Sequence, residues 1–182
     1  MSAESKQNLE QQLWNIANDL RGKMGADEFR DYILGFIFYK YLSEKMRLYA
    51  DKILQQDQVR YVELDENSSE GRQYIDAIRD EALEKLGYFL KPSELFIALA
   101  AKGNADTGDE TFILEDLTNV LKSIEQSTMG TDSEEEFGNL FEDLDLTSSK
   151  LGKTENQKNE LICKVLYHLG KIDFEIANTD SD

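Results

Sequence analysis

Apolar side chains recur along this chain with a period near 3.6 residues, most densely between Leu9 and Leu48. Leu9, Leu13, Ile16, Ala17 and Leu20 fall at i, i+4, i+7, i+8 and i+11, which predicts one amphipathic helix. Gly22 supplies its C-terminal stop. After the polar break RGKMGAD, Asp27 is placed to cap a second helix, and from Tyr32 to Leu42 only Gly35 and Lys40 interrupt the large apolar side chains. A helix apolar on every side has to be surrounded. The run is far short of the roughly 20 residues that cross a bilayer, so the surroundings are expected to be protein. Met46, Tyr49 and Ile53 continue the pattern and predict one helix from about residue 27 to 54, a spine roughly 40 Å long at about 1.5 Å per residue.

Beyond the spine, residues 55–69 are polar, and the alternation of Val59, Tyr61, Val62 and Leu64 is too brief to mean more than a connector. Tyr74, Ile75, Ile78, Ala82 and Leu86 restore the helical period, with Glu70 near the start and Gly87 as the stop. Tyr88, Phe89 and Leu90 are expected to be extended ahead of Pro92, and Pro92 or Ser93 then opens a helix through Leu95, Phe96 and Leu99 to Gly103. A loop over 103–110 ends at Asp109, placed to cap a helix carried by Ile113, Leu114, Leu117, Val120, Leu121 and Ile124. Ser133 with Glu136, and Thr154 with Gln157, both have capping-box spacing. The first predicts a short helix through Phe137, Leu140 and Phe141. The second opens a helix through Leu161, Ile162, Val165, Leu166 and Leu169, closed by Gly170, with a fraying tail after Phe174. The fold class is therefore mainly α: an irregular helical bundle around a long central helix, with at most a short two-stranded ribbon.

Composition narrows what such a bundle does. At 182 residues and 40% apolar content the chain supports one sizeable core. No apolar signal segment follows Met1, and a cytoplasmic protein with no membrane contact is expected. The lone Cys163 leaves no internal disulfide framework and suits a reducing compartment. The net charge of −17 is unevenly spread: residues 61–149 carry 22 Asp or Glu against six Lys or Arg, while residues 1–60 balance nine against nine. That acidic middle repels phosphate, whereas duplex binding needs several Lys or Arg contacts, so the chain by itself is a poor DNA-binding module.

The chemical motifs are incomplete. Gly152-Lys153-Thr154 ahead of a helix is the second half of a P-loop, but Thr147 stands where the first glycine belongs. An EF-hand starting at Asp143 fails because Ser148 occupies the position of the turn glycine and Thr154 that of the bidentate glutamate. One His and one Cys cannot build a four-ligand zinc site of the usual N and S donors. His168, in the last turn of a helix, and Cys163, beside an apolar face, read as structural, and Trp14 with the Phe and Tyr series reads as core; an exposed Trp14 would point to docking instead.

Three blocks carry a resemblance. Leu9-Glu10, Leu13-Trp14 and Asp19-Leu20-Arg21-Gly22 with the run from Tyr32 to Ser43, then Leu86 to Phe96, then Leu140 to Thr154, resemble successive blocks of the N-terminal helical domain of the modification subunit of type I restriction-modification systems, in the same order. The resemblance implies that residues 1–172 form that domain and that 173–182 are a tail or the start of a linker to an absent catalytic domain. It implies a parent enzyme that moves a methyl group from S-adenosylmethionine to adenine N6 in DNA. The implied partners are a specificity subunit, a second modification subunit, a restriction subunit and the DNA held by the assembly. The Asn-Pro-Pro-aromatic motif of such enzymes cannot be present in a chain with one proline, and no Gly-rich strand-to-helix turn is visible, so no catalytic residue, metal or cofactor is expected here. Arg21 and Lys23 in the first interhelical loop, and Lys150, Lys153 and Lys158 after the acidic block, are the candidates for DNA or partner contacts. The alternative is a stand-alone acidic helical protein that mimics DNA or binds a partner; it needs carboxylates evenly spaced on a surface, whereas here they cluster in caps and loops.

Overall fold

A computed structural model describes residues 2–103 and 113–176, in which every regular element is helical. The α-helices are α1 (Ala3–Leu20), α2 (Ala26–Leu54), α3 (Ser69–Lys85), α4 (Phe96–Gly103), α5 (Leu114–Ser127), α6 (Glu134–Phe137) and α7 (Glu155–Gly170). The connector after α2 is two 3-10 turns, Gln55–Asp57 and Tyr61–Glu63, and no ribbon forms among the described residues. The expected cap Asp109 lies outside the described residues.

The spine α2 buries Tyr32, Ile33, Phe36, Tyr39, Leu42, Met46, Ala50 and Leu54. Both interruptions in its apolar run have a use. Gly35 makes room for Leu144, because a Cβ there would lie 3.1 Å from a Leu144 methyl. Lys40 is itself buried, at 2% exposure. The expectation that the helix is surrounded needs correction: Leu34, Phe38 and Tyr41, at i, i+4 and i+7, form an exposed stripe, with Leu34 and Phe38 each 44% exposed. Periodicity cannot reveal this, since a helix apolar on all sides gives no hint which side a neighbour leaves open.

The most unusual packed segment is irregular apart from one 3-10 turn, Pro92–Glu94, so the α-helix expected to open at Pro92 or Ser93 begins only at Phe96. Tyr88, Phe89, Leu90 and Leu95 are all buried in the stretch between α3 and α4. Buried irregular backbone must find hydrogen-bond partners, and here side chains supply them. Tyr61 Oη donates to the Leu90 carbonyl at 2.6 Å and Tyr39 Oη to the Glu94 carbonyl at 2.6 Å. Ser127 Oγ accepts from the Phe89 amide at 3.1 Å and Ser43 Oγ from the Phe96 amide at 2.6 Å.

Helix ends follow the sequence only in part. The cap of α2 is Gly25, whose amide donates to the Glu28 carboxylate at 3.1 Å, so Asp27 sits inside the first turn. Ser133 makes no side-chain capping bond, and α6 stops at Phe137, short of Leu140 and Phe141. Thr154 Oγ1 caps α7 by accepting from the Gln157 amide at 3.2 Å, but the Gln157 side chain reaches one residue further back, to the Lys153 amide. Helices α1 and α7 pack on each other, and Asn8 Nδ2 donates to the Lys171 carbonyl at 2.8 Å. His168 Nε2 lies 3.0 Å from Asp19 across this pair. Packing runs past residue 172, because Ile176 is buried. Trp14 is 57% exposed, which corrects its assignment to the core.

Candidate functional site

Two irregular segments from opposite ends of the sequence meet beside α7. In the first, α1 ends at Leu20, and Gly22 reverses the chain at a φ of 78°, a left-handed conformation that favours glycine. The Lys23 amide bonds back to the Leu20 carbonyl at 3.1 Å, leaving the lysine side chain on the outside of the turn. In the second, the Asp145 carboxylate accepts from both the amide and the hydroxyl of Thr147, at 2.9 and 2.6 Å. These two bonds hold the Asp145 carboxyl below the usual range. A 3-10 turn over Ser149–Leu151 follows, pinned by the buried Leu151, and the chain then enters α7. Gly152 is required by proximity: a Cβ there would sit 2.7 Å from the Gln157 Cβ. This packing accounts for the glycine of the Gly152-Lys153-Thr154 triplet without any phosphate loop.

Between these segments and α7 lies an open groove of about 590 Å³, lined by Lys23, Lys150, Lys153 and Lys164 and, on its acidic side, Asp19 and Glu160. The cations differ in how free they are. Lys150 bonds Glu28, and that bond, with the Gly25 amide, lowers the Glu28 carboxyl pKa. Lys164 lies 3.5 Å from Glu160. Lys23 and Lys153 are exposed and make no ion pair with a described residue.

Three of the five candidates, Lys23, Lys150 and Lys153, are thus brought together. The other two are not. Arg21 lies outside the groove, its guanidinium 5.4 Å from the centre of the Trp14 ring. Lys158 is buried and bonds the Thr147 carbonyl and Glu155 Oε1, each at 3.0 Å, so it ties the 145–148 turn to α7. Sequence reasoning missed Lys164 and Gln157, although Gln157, Glu160 and Lys164 at i, i+3 and i+7 mark one outer face of α7. The described residues hold no cluster of three or more His, Cys, Asp or Glu suited to a metal, and no helix among them is long and apolar enough to cross a membrane.

The helix order and this junction can be set against known proteins. The family model of the HsdM N-terminal domain matches residues 9–169. The chain belongs to the HsdM N-terminal domain family. As an HsdM N-terminal domain it is similar to the type I restriction enzyme MpnII methylase subunit of Mycoplasma pneumoniae, at 30% identity over 176 residues, which is 94% of this chain and 32% of that protein. The crystal structure of the type I restriction-modification system methyltransferase subunit from Streptococcus thermophilus matches with a TM-score of 0.73 and 35% identity, over 93% of this chain and 35% of the other. This HsdM N-terminal domain therefore spans about a third of the length of these relatives.

Proposed function

We propose that this domain is the contact module at the head of a type I modification subunit, and that the groove between the α1–α2 turn and the start of α7 meets DNA phosphates within the assembled enzyme. In that reading residues 1–172 and the packed segment after them form the module, and a catalytic domain follows. The whole subunit transfers a methyl group from S-adenosylmethionine to adenine N6 in the cytoplasm, alongside a specificity subunit, a second modification subunit and a restriction subunit. The residues of this chain do not fit the cofactor: no strand leads into a Gly-rich turn among the described residues, and one proline cannot supply Asn-Pro-Pro. The domain's own contribution is binding and orientation.

The observation that carries the groove assignment is the meeting of Lys23, Lys150, Lys153 and Lys164 on a chain whose middle block is strongly acidic. Phosphate contacts release condensed counterions, so each one lost flattens the salt dependence of affinity by about one unit of slope. In the assembled methyltransferase, reversing Lys23 and Lys153 to Glu is expected to weaken binding to all duplex sequences and flatten that slope by about two. An unchanged slope would remove the groove from the DNA interface. The family relationship favours this reading over the stand-alone acidic mimic.

A further inference from the structure

The described residues after α7, 171–176, do not simply leave the bundle. They run back across the spine, with Ile172 and Ile176 buried and Phe174 half-buried. Polar contacts to the body fasten them. Asn8 Nδ2 donates to the Lys171 carbonyl at 2.8 Å, Ser5 Oγ donates to Glu175 Oε1 at 2.7 Å, and Lys40 Nζ donates to the Ile172 carbonyl. We propose that Lys40 is the latch that holds this strap to α2, and so fixes the direction in which the polypeptide leaves the domain.

A buried ammonium is strongly disfavoured unless its lost hydration is replaced. Lys40 has four replacements: the Ile172 carbonyl, Glu44 Oε1 at 2.9 Å, and the faces of Phe174 and Phe96 at 4.4 and 5.7 Å. Glu44 and Phe96 belong to the body, whereas Ile172 and Phe174 belong to the strap. The charge is therefore compensated in full only while the strap is docked. An apolar residue at position 40 would pack as well but would not select one carbonyl of a passing chain. Glu175, at a φ of 54°, takes a backbone conformation that L side chains rarely adopt, which is consistent with a strap held down against its own preference. The relatives are about three times longer than this chain, so a strap docked in one orientation orients whatever follows it. That consequence rests on the reading of the domain as the head of a longer subunit; the latch itself is tested on this chain.

Two variants separate the possibilities. In Lys40→Met, amide hydrogen exchange at residues 172–176 is expected to quicken by about tenfold or more, with exchange in α5 and α7 unchanged. In Phe174→Ala, acylation of Lys40 by an amine-reactive ester, followed by mass spectrometry, is expected to quicken by about tenfold, while that of the exposed Lys6 stays constant. Unchanged exchange at 172–176, or equal acceleration in every helix, would mean that Lys40 is only another core residue. If Lys40→Met fails to fold, an unchanged acylation rate in Phe174→Ala overturns the latch. Neither readout involves DNA, so failure here and failure of the groove assignment are distinguishable.

Discussion

Four buried tyrosines turn their hydroxyls to main-chain carbonyls: Tyr32 to Asp145, Tyr39 to Glu94, Tyr61 to Leu90 and Tyr88 to Leu42. Removing one hydroxyl strands a buried carbonyl, so Tyr61→Phe should cost about 1–3 kcal/mol in urea unfolding. Tyr167→Phe, on the surface, should cost under about 0.5 kcal/mol. Burial, aided by Asp145, pushes Tyr32 up to about 12; burial also raises Tyr39 well above its ordinary value, aided by Glu94, and raises Tyr61, aided by Glu66 and Glu94. An unfolded tyrosine ionises near 10, so these groups favour the folded state fully below about pH 10, and that contribution is lost as pH rises toward their folded values. A phenolate absorbance titration should therefore show part of the signal withheld until helical dichroism collapses; full ionisation in the folded protein would contradict it. That these four tyrosines belong to the core was legible in the sequence, although Trp14, Phe38, Tyr41 and Tyr167 of the same aromatic series are exposed. Which hydroxyl meets which carbonyl was not, because donor and acceptor lie 29 to 113 positions apart.

At the scale of the elements, the spine has an inner and an outer face that its composition conceals. Phe36→Ala opens a cavity in the core and should cost about 3–5 kcal/mol, whereas Phe38→Ala removes a side chain already half in water and should cost under about 1 kcal/mol. Equal costs would mean that α2 is enclosed after all. The two capping sites divide in the same way: Thr154→Ala should lose about 0.5–2 kcal/mol, and Ser133→Ala close to nothing, as read from urea midpoints. The 3.6-residue period located six of the helices, and the spacing of Ser, Thr, Glu and Gln located candidate caps. What spacing lacks is backbone conformation. Ser133 is already helical and cannot cap as Thr154 does from an extended backbone.

For the whole molecule, the decisive feature is the contrast between the acidic middle block and the lysines gathered at one junction. The chain alone, at −17, should show negligible affinity for free duplex near physiological salt, since phosphate approaching from solution meets mostly carboxylate. If the groove meets DNA as proposed, an assembly has to present the duplex to it. Charge position along the sequence pointed to three of the four groove lysines, because both loops flank helices whose periods were clear. It could reveal neither the burial of Lys158, which depends on how the 145–148 turn folds back onto α7, nor the place of Arg21 against Trp14. The most direct test is lysine acylation mapping of the complete methyltransferase with and without its DNA. Protection by DNA at Lys23, Lys150, Lys153 and Lys164, with Lys6 and Lys122 unchanged, is the expected result; equal labelling of the groove lysines in both states would contradict the account.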